Sequence, residues 1–416
     1  MIREIIKRDR VKGDIKIPSS KSHGQRALAC SLISRNKTLI LGLGVSNDEQ
    51  AILDLIIDAG AEVTIGNEEV RVSGKGYNPK ESLELSCNES GLGARMLTPI
   101  LANSSSAVKL IGKRSILNRT MHLFDAVFDK LDVDFHSNEG KLPFSMKGPL
   151  IPKSIVIDGS ISSQFATGII LGYVASPLLR NEVIEIKNPT SVPYIELTLD
   201  VLSSFGVHLK LVDNKIRFSG PYELKPTVIK VEGDWSSASF FLVVGAILGD
   251  VTIRGLNLKS KQADVKILEA LRDFGAEIIL NNESVRIIKA KHNAFEFDAT
   301  HCPDLFPPLA VLASFGDGVS RIKGVSRLVH KESNRAQSIL SELNKMGANI
   351  TLEDDEMVIE GVKKMNGSNI DPHGDHRIAM AASIMGLTAQ GKTIINNAEV
   401  VNKSFPDFFE CLNKLN

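Results

Sequence analysis

Apolar residues at helical spacing recur along the chain, and each run leads through a turn into an alternating strand. The runs include "AILDLIIDAGAEVTI" and "KILEALRDFGAEIIL". Their turns fall at Gly60, Leu131, Gly206, Gly275, Gly347 and Leu415. A glycine after a helix, followed by apolar residues at every second position, is typical of a capped helix and a half-buried strand. The pattern therefore predicts an amphipathic helix and a strand that repeat about every seventy residues.

A β-hairpin is predicted after each complete repeat, because two alternating runs meet there at Asn, Asp or Glu, as in "EVTIGNEEVRVSG". The last repeat has no hairpin, whereas the N-terminus supplies the unpaired strand-like segments "REIIKR" and "GDIKIPS". We therefore expect the two ends of the chain to complete one lobe. The predicted lobes are residues 1–17 with 231–416, and residues 18–230.

A second class of helix occurs in register with the first. Its members begin with Ser, Gly, Asp or His and continue as nearly unbroken apolar runs, as in "SSKSHGQRALACSLIS" and "GDWSSASFFLVVGAILG". A helix that is apolar on all sides is a buried one. The repeat thus predicts an α/β fold with two lobes, each made of three units whose sheets surround the buried helices.

The composition excludes several classes of protein. The chain has 416 residues, which exceeds a single core, and a formal net charge of zero, which argues against nucleic-acid or membrane-surface binding. Its four cysteines form no CxxC pair, and the start "MIREIIKRDRVKGD" has no apolar segment of a signal peptide. We expect a cytoplasmic protein with no membrane, nucleic-acid or metal partner.

Basic residues collect at the predicted helix starts, where a helix dipole disfavours cations. Lys21 and Arg26 lie in the first turn of a buried helix. Similar positions are taken by Arg119, Lys331, Arg335, Arg377 and Lys403. Free N–H groups and basic side chains together bind anions, so the pattern predicts a site for small anions in the cleft between the lobes. The alternative, that these side chains extend to solvent, is left open.

Neutral and acidic side chains accompany these cations. Ser162, Ser163 and Gln164 open another buried helix, where they could bind a phosphate or hydroxyl group or serve as ordinary caps. Asp304 and Glu332 stand among the basic positions. A carboxylate in a cationic cleft can act as general base or acid, but spacing does not decide between this role and capping.

Motifs along the whole chain resemble those of the 5-enolpyruvylshikimate-3-phosphate synthase family. They are "KSHGQRA", "NESGLGAR", "DGSISSQF", "SVPYIELTLDVLSSFGV", "VEGDWSSASFF", "VHKESNR", "GDHRIAMA" and "KSFPDFF". The resemblance implies a two-lobed inside-out α/β barrel with three βαβαββ units per lobe. It also implies transfer of the enolpyruvyl group of phosphoenolpyruvate to the 5-hydroxyl of shikimate 3-phosphate, with release of phosphate. This is a step of the shikimate pathway of aromatic amino-acid biosynthesis, performed without a cofactor by a monomer whose lobes close.

The resemblance also implies roles for individual residues. Shikimate 3-phosphate is assigned to Lys21, Ser22, Arg26, Ser162, Ser163, Ser191, Asp304 and Lys331. Phosphoenolpyruvate is assigned to Lys21, Gly91, Arg119, Gln164, Arg335, Arg377 and Lys403. Asp304 is expected to be the base, with Glu332 or Lys21 as the acid. Glu89 and Leu92 depart from the family's usual residues beside Gly91.

Two other functions are compatible with parts of the pattern. The first is the sister enolpyruvyl transferase that acts on UDP-N-acetylglucosamine. It commonly carries a cysteine in the loop matching "GKRSILNR", where this chain has none. The second is a non-catalytic repeat scaffold that binds a phosphorylated partner. A scaffold would explain the repeats and the anion-binding helix starts, but it gives no reason for Asp304 and Glu332 among the cations.

Overall fold

The computed structural model describes residues 1–77, 79, 81–329 and 331–416, and these residues form an α/β protein. The helices are α1 (Lys21–Ile33), α2 (Asn47–Asp58), α3 (Gly91–Leu101), α4 (Leu123–Lys130), α5 (Ser163–Ala175), α6 (Val192–Ser204), α7 (Trp235–Leu248), α8 (Ile267–Phe274), α9 (Phe306–Ala313), α10 (Arg335–Lys345), α11 (His376–Gly386) and α12 (Phe408–Asn413). Short 3₁₀ turns span Arg114–Asn118, Ala263–Lys266, Pro303–Leu305, Val325–Leu328 and Ala398–Lys403.

The strands follow the helices in the predicted repeat. They are β1 (Arg3–Ile5), β2 (Val11–Lys16), β3 (Lys37–Leu41), β4 (Glu62–Ile65), β5 (Glu69–Ser73), β6 (Leu83–Ser86), β7 (Val108–Ile111), β8 (Asp134–Asn138), β9 (Lys141–Lys147), β10 (Ile155–Asp158), β11 (Val183–Lys187), β12 (Leu211–Val212), β13 (Lys215–Arg217), β14 (Thr227–Lys230), β15 (Gly249–Arg254), β16 (Glu277–Asn281), β17 (Ser284–Ile288), β18 (Glu296–Asp298), β19 (Val319–Lys323), β20 (Asn349–Glu353), β21 (Glu356–Glu360), β22 (Asn369–Ile370) and β23 (Thr393–Ile395).

The chain divides into two compact units. Unit 1 comprises Met1–Pro18 and Glu232–Asn416, and unit 2 comprises Ser19–Val231. Each boundary lies one residue beyond the position expected from the sequence. Pro18 stays with unit 1 because its carbonyl accepts a hydrogen bond from the Asp234 amide at 2.9 Å. Val231 stays with unit 2 because its amide donates to the Leu41 carbonyl at 2.9 Å.

Unit 2 contains three four-stranded sheets, ordered β14-β3-β5-β4, β6-β7-β9-β8 and β10-β11-β13-β12. In each sheet a parallel pair adjoins an antiparallel hairpin, which is the arrangement that the repeat predicts. The last strand of the unit, β14, returns to pair with the first, β3. The helices α1, α3 and α5 pack against one another between these sheets.

The buried helices form because each combines a polar cap with an apolar body. Ser20, Ser90 and Asp234 cap α1, α3 and α7 by accepting a backbone N–H with their side chains. Every residue of α3 and α7 is buried. The close approach of α5 to α3 requires a glycine, since a Cβ on Gly168 would lie 2.2 Å from the carbonyl oxygen of Arg95.

Unit 1 is completed by the N-terminal strands. Its sheets have the orders β16-β17-β15-β2, β18-β19-β21-β20 and β1-β23-β22. Strand β2 pairs in parallel with β15, and β1 pairs antiparallel with β23. Helices α7, α9 and α11 pack against one another within this unit. The C-terminal residue also reaches β2, because the Asn416 amide donates to the Lys12 carbonyl at 2.9 Å and the Lys12 amide donates to the Asn416 carbonyl at 2.7 Å.

Among the described residues, none of the helices combines the length and the apolar character needed to cross a bilayer.

Replacing Ile15 in β2 by alanine should destabilise unit 1. The Ile15 side chain is 1% exposed and stands opposite Ile253 of β15. Loss of such a buried side chain costs about 2–5 kcal/mol of unfolding free energy. The chain has one tryptophan, Trp235, which is buried in α7, so its fluorescence during urea unfolding reports on unit 1. Lys16→Ala, at an exposed position of the same strand, is the control. Equal midpoints for both variants would contradict a structural role for β2.

Candidate functional site

Arg335 is the centre of a cluster of charges in unit 1. It is the first residue of α10, and its side chain has no exposed surface. Its guanidinium donates to Asp375 Oδ2 at 2.8 Å, to Asp304 Oδ1 at 2.8 Å and to Glu332 Oε2 at 2.5 Å. A buried cation is stable only when such partners replace water. These carboxylates raise the pKa of Arg335 against the opposing effect of its burial, so the group stays charged.

Asp304 joins this cluster to two further cations. It precedes α9 in the turn Pro303–Leu305, and its side chain is 26% exposed. Its Oδ1 also accepts Lys331 Nζ at 3.1 Å, and its Oδ2 accepts Arg377 Nη2 at 3.1 Å. Partial burial alone would raise the pKa of Asp304, but the charges of Arg377, Lys331 and Arg335 outweigh it and hold the pKa well below its ordinary value.

The same cations respond to Asp304 and to one another. Burial and the neighbouring charge of Arg335 lower the pKa of Lys331, although Asp304 opposes this effect. Burial would also lower the pKa of Arg377, but the neighbouring acids Asp304, Asp264 and Asp234 together outweigh it and raise this pKa. The neighbouring acids, of which Asp304 acts most strongly, therefore keep Arg377 protonated in a site that is largely closed to water.

Asp375 fixes the start of α11 and thereby the position of Arg377. It is the N-cap of the helix, where Oδ1 accepts the Arg377 amide at 3.0 Å, and it has no exposed surface. The same carboxylate binds Arg335, so one side chain connects the starts of α10 and α11. Lys403, which is 7% exposed, ends the turn Ala398–Lys403, and this turn packs against α11.

Lys21 in unit 2 is paired with a carboxylate. Its Nζ donates to Asp48 Oδ2 at 2.7 Å, and Asp48 is 5% exposed in the first turn of α2. This pair explains how a lysine can be the first residue of α1 despite the helix dipole. The negative charge of Asp48 compensates both the ammonium group and the positive end of the helix.

Side-chain hydrogen bonds connect the starts of the buried helices in unit 2. Gln25 of α1 donates to the Asp48 carbonyl at 3.1 Å and accepts from Ser90, the cap of α3, at 3.3 Å. Arg95 of α3 donates to Gln164 Oε1 of α5 at 2.8 Å. Lys21, Gly91 and Gln164, three of the predicted site residues, therefore belong to one connected set of helix starts.

Arg26 is held inside unit 2 by neutral groups. Its side chain is 1% exposed and donates to the carbonyls of Ser22 and Tyr194 at 2.7 and 3.1 Å and to Thr198 Oγ1 at 2.9 Å. Burial lowers the pKa of Arg26 to about 10. Arg26 thus joins α1 to α6, the helix that follows Ser191.

The predicted serine ligands lie at two helix starts of unit 2. Ser162 caps α5 by accepting the Gln164 amide at 3.3 Å, and the next residue, Ser163, is 4% exposed. Ser191 precedes α6 with φ 50° and ψ 43°, a left-handed conformation that is unfavourable for a residue with a Cβ. Such strain is common at functional sites, where the surrounding structure holds it in place.

Gly91 provides room for Arg119. A Cβ added to Gly91 would lie 2.5 Å from Arg119 Nη1, so the guanidinium rests directly against the start of α3. The two residues that depart from the family have separate surroundings. Glu89 accepts Arg114 Nη1 at 3.0 Å, and Leu92 is 8% exposed among the core residues of unit 2.

Sequence reasoning missed Asp48, Asp375 and Arg95, although each bonds a predicted site residue or stands between two of them. The motifs around them do contain a signal. Asp48 lies in "SNDEQ", and Asp375 in "HGDHR", both of which are typical of helix caps. Because capping explains an acid at a helix start, the additional ion pair could not be recognised from spacing. Within the described residues, no group of three or more His, Cys, Asp or Glu side chains is arranged to hold a metal.

The fold is that of known enolpyruvyl transferases. An enolpyruvyl transferase from Streptomyces tendae matches it with a TM-score of 0.79 over 99% of this chain and 96% of its own, at 16% identity. An EPSP synthase from Acinetobacter baumannii matches with a TM-score of 0.83 over 99% of this chain and 98% of its own, at 27% identity. The first likeness concerns the fold alone. The second extends to the sequence.

Sequence comparison then defines the family. The model of EPSP synthase (3-phosphoshikimate 1-carboxyvinyltransferase) matches residues 5–412. A 3-phosphoshikimate 1-carboxyvinyltransferase from Clostridium perfringens is 34% identical over 100% of this chain and 98% of its own. One from Methanocorpusculum labreanum is 31% identical over 99% and 98%. The chain belongs to the EPSP synthase family.

These findings confirm the resemblance and the α/β fold class with two lobes of the inside-out barrel type. They favour the shikimate-pathway enzyme over the sister enzyme that acts on UDP-N-acetylglucosamine. The roles of individual site residues and the location of the site in the cleft between the lobes remain predictions.

The ion pairs of Asp304 should make the protein sensitive to acid. Because the folded state holds the pKa of Asp304 well below that of the unfolded chain, its contribution to stability is present above about pH 4 and is lost as the pH falls further. Asp304→Asn should lower the unfolding free energy at pH 7 and reduce its dependence on pH between about 4.5 and 3. Urea unfolding monitored through Trp235 measures both effects.

The control for this experiment is Asp9→Asn, since the Asp9 side chain is 93% exposed. This variant should keep the pH dependence of the unmodified protein, because an exposed ion pair contributes little to stability. An equally steep dependence in Asp304→Asn would show that the Asp304 carboxylate is not stabilised by folding.

Proposed function

We propose that this chain transfers the enolpyruvyl group of phosphoenolpyruvate to the 5-hydroxyl of shikimate 3-phosphate, with release of phosphate, and that the residues described above carry the reaction. Membership of the EPSP synthase family supports the reaction. The observation that carries the residue assignment is the position of Asp304, a carboxylate in direct contact with Lys331, Arg335 and Arg377. A scaffold that only binds phosphate would use this acid to stabilise the buried cations, but it would not need a proton acceptor beside the substrate.

The charges of the substrates match the two sets of helix starts. Each substrate carries a phosphate and a carboxylate, and guanidinium groups bind such oxyanions with two parallel hydrogen bonds. We assign phosphoenolpyruvate to Lys21, Gly91, Arg119, Gln164, Arg335, Arg377 and Lys403. We assign shikimate 3-phosphate to Lys21, Ser22, Arg26, Ser162, Ser163, Ser191, Asp304 and Lys331. The substrate anions would replace the carboxylates that hold Lys21 and Arg377 in the free protein.

The reaction proceeds by addition and then elimination. Asp304 takes the proton of the 5-hydroxyl while the hydroxyl oxygen bonds to C2 of phosphoenolpyruvate, and an acid protonates the methylene carbon to a methyl group. The conjugate base of that acid then takes back one methyl proton, which restores the double bond as the C2–O bond to phosphate breaks and phosphate leaves. Basic side chains stabilise the departing phosphate. Either Glu332 or Lys21 is the acid, and both also contact residues of the proposed site.

Substrate binding would change the basicity of Asp304. In the free protein three cations make it a weak base. When the phosphate and carboxylate of phosphoenolpyruvate share the charges of Arg335 and Arg377, less positive charge acts on Asp304 and its pKa rises. The base would thus become effective only after the anions are in place, which suits a reaction that needs both substrates at once.

Phosphate release should require both phosphoenolpyruvate and shikimate 3-phosphate. Asp304→Asn should lower kcat by roughly 10²–10⁴-fold, the usual effect of losing a general base. Calorimetric titration should still detect both substrates, because the cations remain. Turnover is measured as phosphate released with each acceptor in turn.

Three outcomes would contradict this proposal. Phosphate release only with UDP-N-acetylglucosamine as acceptor would assign the chain to the sister activity. Near-normal turnover of Asp304→Asn would remove Asp304 from the mechanism. Binding of both substrates to the unmodified chain without any turnover would favour a non-catalytic scaffold.

Gly91→Ala should weaken the binding of phosphoenolpyruvate. The added Cβ would stand 2.5 Å from Arg119 Nη1 and force the guanidinium away from the start of α3. Loss of one charge-assisted hydrogen bond corresponds to about a tenfold or greater rise in Kd. Affinity for shikimate 3-phosphate, measured on the same variant, is the internal control and should hardly change. Unaltered phosphoenolpyruvate affinity would mean that Arg119 does not contact this substrate.

Several expectations from the sequence accompany this proposal. We propose that the chain acts as a monomer in the cytoplasm, without a cofactor, and that closure of its lobes excludes water during the reaction.

A further inference from the structure

Asp264 is a buried acid that the proposed mechanism does not use. It lies in the turn Ala263–Lys266 of unit 1 and has no exposed surface. Its Oδ2 is hydrogen-bonded to the hydroxyl of Ser236 in the first turn of α7. Its Oδ1 is buried and has no hydrogen-bond partner among the residues that the structure describes. A carboxylate with one unsatisfied oxygen away from water is unfavourable, whereas a neutral carboxyl group tolerates the same surroundings better.

The turn that carries Asp264 is fixed to the start of α7. Gln262 Oε1 accepts the Trp235 amide at 3.0 Å, and Gln262 Nε2 donates to the Gly233 carbonyl and to Glu232 Oε1, both at 2.8 Å. Gln262 is itself 3% exposed. Asp264 therefore cannot leave its position without breaking the contacts that begin a buried helix.

Charged groups from several elements act on Asp264. They are Asp304 before α9, Arg377 of α11 and Asp234 at the cap of α7, and the thiol of Cys302 is also nearby. Burial and then the charge of Asp304 raise the pKa of Asp264 to about 7, although Arg377 and the Ser236 hydroxyl oppose this effect. The Asp264 side chain, which has no access to water, is therefore influenced by one cation, Arg377, and by two other acids, Asp304 and Asp234.

We propose that Asp264 is a positioning residue for the Asp304–Arg377 pair and that its carboxyl group is neutral in the working enzyme. This inference rests on the proposed function, since it concerns the same site. While Asp264 is neutral, Asp304 is the carboxylate that attracts Arg377 most strongly, so the Arg377 guanidinium can also bind a substrate anion. Once Asp264 ionises, a second buried carboxylate attracts Arg377 and repels the substrate.

The test compares Asp264→Asn with the unmodified protein over the pH range in which Asp264 titrates. The amide keeps the shape of the carboxyl group and can never ionise. We divide kcat/KM for phosphoenolpyruvate in the variant by kcat/KM in the unmodified protein. This ratio should rise about tenfold between about pH 6 and 8.5, because KM changes with pH and kcat does not. Asp250→Asn is the matched control, because Asp250 is an acid of the same unit that pairs with Arg286 across β15 and β17. Its ratio should not vary with pH.

Ser236→Ala gives an independent reading that does not require Asp264 to be replaced. The Ser236 hydroxyl lowers the pKa of Asp264, so its removal should move the loss of kcat/KM to higher pH. Infrared difference spectra should show a protonated carboxyl band that disappears above about pH 7 in the unmodified protein and is absent from Asp264→Asn.

A ratio for Asp264→Asn that is independent of pH would overturn the inference, as would an unshifted profile for Ser236→Ala. The failure of the proposed function is distinct, because then the unmodified protein itself would not turn over phosphoenolpyruvate with shikimate 3-phosphate. In that case the infrared band still shows whether the Asp264 carboxyl is neutral. If Asp264→Asn does not fold, the Ser236→Ala profile and the infrared band of the unmodified protein decide the matter.

Discussion

A guanidinium without exposed surface needs polar partners in place of water, and in unit 1 Arg335 finds these partners in three carboxylates. Asp304, Glu332 and Asp375 all bond it. Since removing any one of them would leave an uncompensated buried charge, the loops that carry them are held at fixed positions around the start of α10. The proposed general base is thus placed by an electrostatic requirement of folding, before any substrate arrives.

The two units hold their cations in different ways. In unit 2, Arg26 is surrounded by hydroxyl and carbonyl groups, and Lys21 meets the acid Asp48. In unit 1, the partners of Arg335 and Arg377 are carboxylates. In both cases the groups that would bind substrate are already desolvated and oriented by partners within the same unit. Folding has therefore already arranged most of these side chains, and a bound anion needs only to take the place of one of their partners.

The fold could be predicted from the sequence in more detail than the site. Buried residues recur at helix or strand spacing in every repeat, and this local pattern predicts the helices and the hairpins. Strand-like patterns at the N-terminus likewise predict that β1 and β2 complete unit 1. Ion pairs leave no such periodic signal. Asp48 lies in the first turn of α2, where an acid is favourable in any helix, and Asp264 lies in the short turn before α8. Their partners are 27 and 28 residues away in sequence, a distance at which only the folded chain shows a contact.

Two acids of unit 1 illustrate how surroundings, and not residue type, decide the state of a carboxyl group. Asp304 touches three cations and keeps some exposure to water, so its charged form is favoured. Asp264 is buried and feels the charge of Asp304, so its neutral form persists to a higher pH, although the hydrogen bond from the Ser236 hydroxyl opposes this effect. Because the charge of the first acid helps to keep the second one neutral, the pair titrates as a unit. Such separation of neighbouring acids is how a single cluster supplies a base together with a carboxyl group that keeps its proton up to about pH 7.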